Sequence, residues 1–177
     1  MDQIRFKSFN CYGAISKLPI IFDLCRDADV VFLQETWLTV PDLHFFEKLG
    51  DNFGSYSISS VDNEELSAGR PHGGLTIIWR KSIEHICTIV NFEDPRCLGL
   101  KLCSLGRNVL AINVYLPYYT ADNFDEYNHY IGKISSIVEE ADAGEVIILG
   151  DFNSCIGNII LNNGNVSAKN MVPCSLM

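Results

Sequence analysis

Two carboxylates, two amides and a phenol stand where apolar runs of the chain end: Asn10, Glu35, Tyr115, Asp151 and Asn153. Together they form a hard, oxygen-rich set. No His or Cys joins it, so its ligand preference is Mg2+ or Mn2+ over zinc. A divalent ion among such groups can bind a phosphoryl oxygen, offset the charge that develops in an in-line displacement and help ionise a water. Each residue also has a plainer reading. Asp151 and Asn153 suit an Asx turn, Glu35 a loop acid, Asn10 a turn amide, and Tyr115 a core phenol with its hydroxyl satisfied. The pattern recurs at four strand ends, and equivalent strand ends converge on one rim of a layered fold, which is where sites are built.

The elements that must position these groups follow from periodicity. Val146, Ile147, Ile148 and Leu149 predict a strand buried on both faces, after which Gly150 lets the backbone turn sharply and present Asp151 and Asn153. The stretch VVFLQE, residues 30–35, repeats that pattern, and residues 4–10 alternate as a strand ending at Asn10. Further strands are predicted around Tyr56 and Ile58, and over 74–79, 84–92, 97–102 and 109–115, the last four reading as an antiparallel meander. Leu18, Ile21, Phe22 and Cys25 predict a short helix with Ser16 as N-cap and Pro19 in its first turn. Thr39 and Pro41 open another, carrying Leu43, Phe46 and Leu49 and closing near Gly50. A long helix is predicted over 122–142, capped by Thr120 or Asp122, with a stripe of Phe124, Tyr127, Ile131, Ile134 and Val138. The polar stretch 61–73 reads as a surface loop.

The 177 residues fit one domain, and 47% hydrophobic content supplies a sizeable core. A formal charge of -9 argues against a protein that coats nucleic acid through excess Lys and Arg, but not against a metal-assisted phosphodiesterase, because the metal brings positive charge to the site itself. The seven Cys are odd in number and contain no C-x-x-C pair, so reduced core thiols are expected, without disulfide or zinc roles. No apolar run approaches the roughly 20 residues of a membrane span, and no signal peptide is visible, which predicts an intracellular protein with no membrane partner. Residues 154–177 hold no Asp, Glu or His and show no clean periodicity, so the expected division is a domain over 1–156 and a poorly ordered tail over 157–177.

FNC around Asn10, FLQETWL around Glu35, GRPHGGLTIIW, INVYLP around Tyr115 and ILGDFN around Asp151 resemble, in order and spacing, the endonuclease/exonuclease/phosphatase superfamily. The Glu-Thr-Trp-Leu and Val-Tyr-Leu-Pro versions are most similar to the endonuclease domain of non-LTR (LINE-type) retrotransposons. The resemblance implies an α/β fold, a four-layer α/β/β/α sandwich with two packed mixed β-sheets, and Mg2+- or Mn2+-dependent hydrolysis of a phosphodiester. Carried over by position, Glu35 would ligate the metal and Asn10 would support the metal or phosphate. Asp151 would orient and deprotonate water, Asn153 would hold that water or the phosphate, and Tyr115 would hydrogen-bond the phosphate. DNA is the implied partner, the reaction a nick that leaves a 3′-hydroxyl, with nuclear action and a reverse transcriptase downstream in the full-length parent.

Departures from the pattern set further expectations. The family completes its site with an Asp and a Ser-Asp-His element on late strands, and nothing after Asp151 supplies either. His44, His72, His85 and His129 precede that strand and are read as surface or loop residues. Tyr12 stands where many relatives have a small, amide or acid residue, and Tyr118 where an Asn often follows. A C-terminally truncated domain lacking its last strands, with impaired or absent nicking, is therefore expected. The alternatives are a phosphatase or lipid phosphodiesterase of the same superfamily, or a non-catalytic remnant.

Overall fold

The computed structural model describes residues 3–60, 72–104 and 106–154. Most of the polar loop expected over 61–73 and the whole of the tail expected over 157–177 lie outside these. The chain divides into two compact units, one of Met1–Tyr115 with Glu140–Asp151 and one of Leu116–Glu139 with Phe152–Met177.

The first unit holds two four-stranded mixed sheets packed face to face. In one, β1 (Phe6–Asn10) runs parallel to β2 (Val30–Gln34), which pairs antiparallel with β4 (Leu75–Arg80), which pairs antiparallel with β3 (Phe53–Ile58). In the other, β5 (Cys87–Asp94), β6 (Cys97–Ser104) and β7 (Arg107–Tyr115) form a meander, and β8 (Glu145–Asp151) runs parallel to β7. β2 is buried throughout because it serves two cores. Val30 and Phe32 pack between the sheets with Leu75, Ile77, Leu98, Leu100 and Ala111, while Val31 and Leu33 pack with Ile21, Cys25, Leu38 and Phe46 on the other face. The two sheets and the mixed pairing match the expected fold class.

Several expected elements are corrected. The strand at 74–79 does not belong to the meander; it pairs with β2 and β3, and a 3-10 turn at Lys81–Ile86 carries the chain to the second sheet. α1 spans Ala14–Asp27, so Ser16 lies inside it and its hydroxyl donates to the Gly13 carbonyl at 3.2 Å, and Pro19 sits in the helix interior. The face turned to the core is Ala14, Ile21 and Cys25, which places Phe22, one residue further around the helix, 42% exposed. The short helix expected after Thr39 is two 3-10 turns, Val40–Asp42 and Phe45–Leu49.

β8 is the largest surprise. Its pattern reads as buried on both faces, yet Ile148 is 36% exposed, because among the described residues β8 pairs only with β7 and forms the edge of its sheet. Cys11, Cys25 and Cys97 are buried as expected, whereas Cys103 is exposed on β6.

In the second unit α2 (Phe124–Glu140) buries Tyr127 and Ile134 of the expected stripe and leaves Phe124 exposed. Thr120 Oγ1 accepts the Asn123 backbone N–H at 3.2 Å just ahead of the helix. No helix among the described residues is long and apolar enough to cross a membrane.

Candidate active site

Parallel pairing places the chemistry. β1 and β2 run in the same direction with Asn10 opposite Gln34, so Glu35 emerges one residue past the register of Asn10. β7 and β8 likewise end level, with Tyr115 opposite Asp151. Side chains then join the sheets at this end. Asn10 Nδ2 donates to Asp151 Oδ2 at 2.7 Å, and the Tyr115 hydroxyl donates to Glu35 Oε1 at 2.7 Å. The structure therefore brings Asn10, Glu35, Tyr115 and Asp151 into two bonded pairs, each with one member from either sheet. Asn153 belongs to the second unit, where its amide nitrogen donates to the Leu116 carbonyl at 2.8 Å and its own carbonyl accepts the Tyr119 N–H at 3.0 Å.

Local backbone makes this possible. Glu35 has φ 55, in the left-handed region that a non-glycine residue occupies only when its surroundings hold it there. The hold is visible on both sides of it. The Thr36 and Trp37 N–H groups donate to the Gly74 and Gly73 carbonyls, and the Glu35 carbonyl accepts the Gly13 N–H at 2.8 Å. Gly150, which opens the GDFN motif, has φ 144 and lies so close to β7 that an added Cβ would clash with the Val114 carbonyl oxygen. Only glycine lets β8 reach the register that sets Asp151 beside Tyr115.

Two contributors lie outside the set of residues expected at the site. Trp37 Nε1 donates to Glu35 Oε2 at 2.8 Å, so each oxygen of this carboxylate has a donor. Arg96, in the turn between β5 and β6, donates to the Tyr115 carbonyl at 3.3 Å and stands 5.6 Å from the centre of its ring. A tryptophan two residues past the acid reads as core, and a lone turn arginine reads as solvated surface; three-dimensional proximity alone reveals them. All four histidines are exposed, as expected.

Burial, followed by the hydrogen bond to Glu35 and the negative charges of Glu35 and Asp151, pushes the Tyr115 phenol well above its ordinary range, against a smaller opposing pull from Arg96. The phenol is therefore a protonated donor at neutral pH. Cys11, one residue past Asn10, is pushed up to about 12, chiefly by burial, which makes it an inert core thiol.

The donor set fits a hard divalent ion. Each Glu35 oxygen accepts one hydrogen bond and keeps a lone-pair direction. No group of three or more His, Cys, Asp and Glu is gathered among the described residues. Mg2+ needs no such cage, since it is held through one or two carboxylates and retains several waters.

The Endonuclease/Exonuclease/phosphatase family model matches residues 8–165. None of the curated protein sequences matches the chain. Among solved structures, the 3′ phosphatase NExo from Neisseria bound to a product DNA hairpin is similar at TM-score 0.63 and 18% identity, over 88% of this chain and 60% of that one. D. rerio TDP2 complexed with a single-strand DNA product aligns at TM-score 0.58 and 18% identity, over 86% and 62%. The endonuclease domain of TRAS1, a telomere-specific non-LTR retrotransposon, aligns at TM-score 0.57 and 13% identity, over 86% and 61%. The chain thus spans about three fifths of the length of each, and none of the three stands apart from the others.

Proposed function

Because the chain belongs to the Endonuclease/Exonuclease/phosphatase family, we propose that it is a divalent-metal-dependent phosphodiesterase domain that nicks DNA, of the LINE-type retrotransposon branch. One observation carries the reading: Glu35, bonded to Tyr115 and Trp37, and Asp151, bonded to Asn10, stand at the same end of the paired sheets. The branch rests on the Glu-Thr-Trp-Leu and Val-Tyr-Leu-Pro segments.

In this reading Glu35, with Asn10 in support, holds Mg2+ or Mn2+, which when bound offsets charge on the phosphoryl oxygens and lowers the pKa of water. Asp151 orients the attacking water and takes its proton. Its Oδ2 is fixed by the Asn10 amide, so the carboxylate does not have to be immobilised as the substrate arrives. Tyr115, kept protonated by burial and by Glu35, turns its single O–H from Glu35 to a phosphoryl oxygen when substrate is bound, and Asn153 holds the water or the phosphate. Loss of one such group lowers turnover by about 100-fold to 1000-fold.

A supercoiled-plasmid assay tests this. The expected result is slow, Mg2+-dependent conversion to open circles ending in 3′-hydroxyl groups, stopped by EDTA and lost in Asp151→Ala. Absence of nicking, or nicking that survives Asp151→Ala, overturns it.

A further inference from the structure

Tyr12 and Trp37 form a ring pair that the reaction described above does not use. Their centroids lie 4.4 Å apart with the planes inclined at 60°. Tyr12 remains 61% exposed although it is a large aromatic residue beside a buried strand end. Both residues sit in the left-handed region, with φ 46 at Tyr12 and φ 54 at Trp37, a conformation that bulky side chains rarely adopt. Three contacts hold them there. The Tyr12 N–H donates to Asn10 Oδ1 at 3.1 Å, the Trp37 N–H donates to the Gly73 carbonyl at 3.0 Å, and the Trp37 indole is tied to Glu35. Gly13 completes the arrangement, since a Cβ there would come within 2.8 Å of the Trp37 ring. Strained backbone at both ring partners, anchored to Asn10 and Glu35, is the kind of outlier from which a functional role is inferred.

We propose that the Tyr12–Trp37 pair is a stacking platform for a nucleobase of an unpaired DNA strand, next to the phosphate that meets Glu35. The proposal rests on the phosphodiesterase reading of the Glu35 site and names what that site recognises. Charge supports it. With 13 Lys and Arg against 22 Asp and Glu, the chain lacks the cationic surplus that holds nucleic acid by its backbone, so affinity must come from contacts that do not depend on phosphate charge. Base–aromatic stacking is that kind of contact, and it acts on any base because every base has a π-face. A base is also the planar group that a nucleic acid carries within one nucleotide of each phosphodiester. The platform is joined to both functional pairs, through Asn10 and through Glu35, so a base seated on it fixes the neighbouring phosphate relative to them.

Binding measured in EDTA, where no turnover occurs, separates this from catalysis. Fluorescence anisotropy compares a fluorescein-labelled thymidine 12-mer with a 12-mer of the same phosphate count whose sugars carry no bases. The wild-type chain is expected to bind the thymidine strand about tenfold more tightly, with a shallow dependence on salt. Tyr12→Phe keeps that ratio. Tyr12→Ala brings it close to one, and Tyr12→Leu, which retains apolar bulk without a ring, does the same should the alanine variant fail to melt cooperatively. Equal affinity of the wild type for both strands, binding of neither, or a ratio that survives loss of the ring overturns the platform. A chain that nicks DNA without discriminating overturns the platform alone, whereas one that discriminates but never nicks overturns the nuclease reading and leaves the platform standing.

Discussion

The Tyr115 hydroxyl donates to Glu35 Oε1 at 2.7 Å across 80 residues of sequence, and in doing so ties the end of one sheet to the end of the other. A bond to a charged acceptor at a half-buried site is worth more than a neutral surface contact, yet here its larger effect is on orientation. Without the phenol, Glu35 loses a fixed donor before substrate binds, and the phosphate loses the same O–H once it turns from Glu35 to the substrate. Tyr115→Phe is expected to lower the nicking rate about 100-fold while leaving the far-UV spectrum unchanged. A rate within a few-fold of wild type would remove Tyr115 from the site.

A second bridge between the sheets lies deeper. Gln34 Nε2 donates to Asn113 Oδ1 at 2.6 Å, and Asn113 Nδ2 donates to the Leu33 and Thr76 carbonyls at 3.0 and 3.2 Å, all of it buried. Asn113→Leu strips the buried Gln34 amide of its shortest bond, leaving only the longer ones to Ser8 Oγ and the Phe32 carbonyl at 3.1 and 3.3 Å, and is expected to cost about 2 kcal/mol or more. Adding Gln34→Leu removes the other half of the broken bond. The double variant should therefore be less destabilised than the sum of the two single ones, read from urea midpoints, and simple additivity would show the bond to be energetically idle.

Much of this was legible in the sequence where local pattern and tertiary role agree. VVFLQ reads as a buried strand and is one, and Asn10, Glu35, Tyr115 and Asp151 read as strand-end groups and do converge. Local pattern misleads where partners are set at long range. The strand at 74–79 has the spacing of a meander member, but its register is fixed by β2 and β3, which come earlier in the chain. Four branched residues in β8 signal burial, whereas exposure depends on which elements lie alongside, and that is not a property of the strand's own sequence. Trp37 and Arg96 are invisible for the same reason, since their roles exist only once Glu35 and Tyr115 have been folded next to them.

Alkaline pH should weaken the fold in a defined window. Burial raises the thiols of Cys11, Cys25 and Cys87 from an ordinary 9.0 to about 12, 11 and 11. Their folded-state pKa values lie above the unfolded one, so the folded chain keeps protons that the unfolded chain releases. Stability is thus full below about pH 9 and is lost as pH rises through 11 to 12. Tyr115 adds the same sign above its ordinary 10. Urea midpoints at pH 8, 9, 10 and 11 should fall progressively, and Cys25→Ala should flatten part of the slope. A midpoint constant to pH 11 would mean that these thiols titrate normally.

Metal binding can be read without any turnover. If Glu35 holds Mg2+ or Mn2+ only in the folded chain, mass action stabilises that state by about 2.7 kcal/mol at a hundredfold excess over Kd. For a chain of this size that corresponds to a rise in Tm of about 5 to 10 °C. EDTA should reverse it. Glu35→Gln keeps a carbonyl oxygen that can still accept a hydrogen bond from Tyr115 or Trp37, but removes the charge, so it is expected to fold and to lose the shift. Asn10→Ala, which frees Asp151 and withdraws one neutral ligand, should reduce the shift without abolishing it. A metal-induced rise that is identical in Glu35→Gln would place the ion elsewhere on this acidic chain and separate the Tyr115–Glu35 pair from metal chemistry.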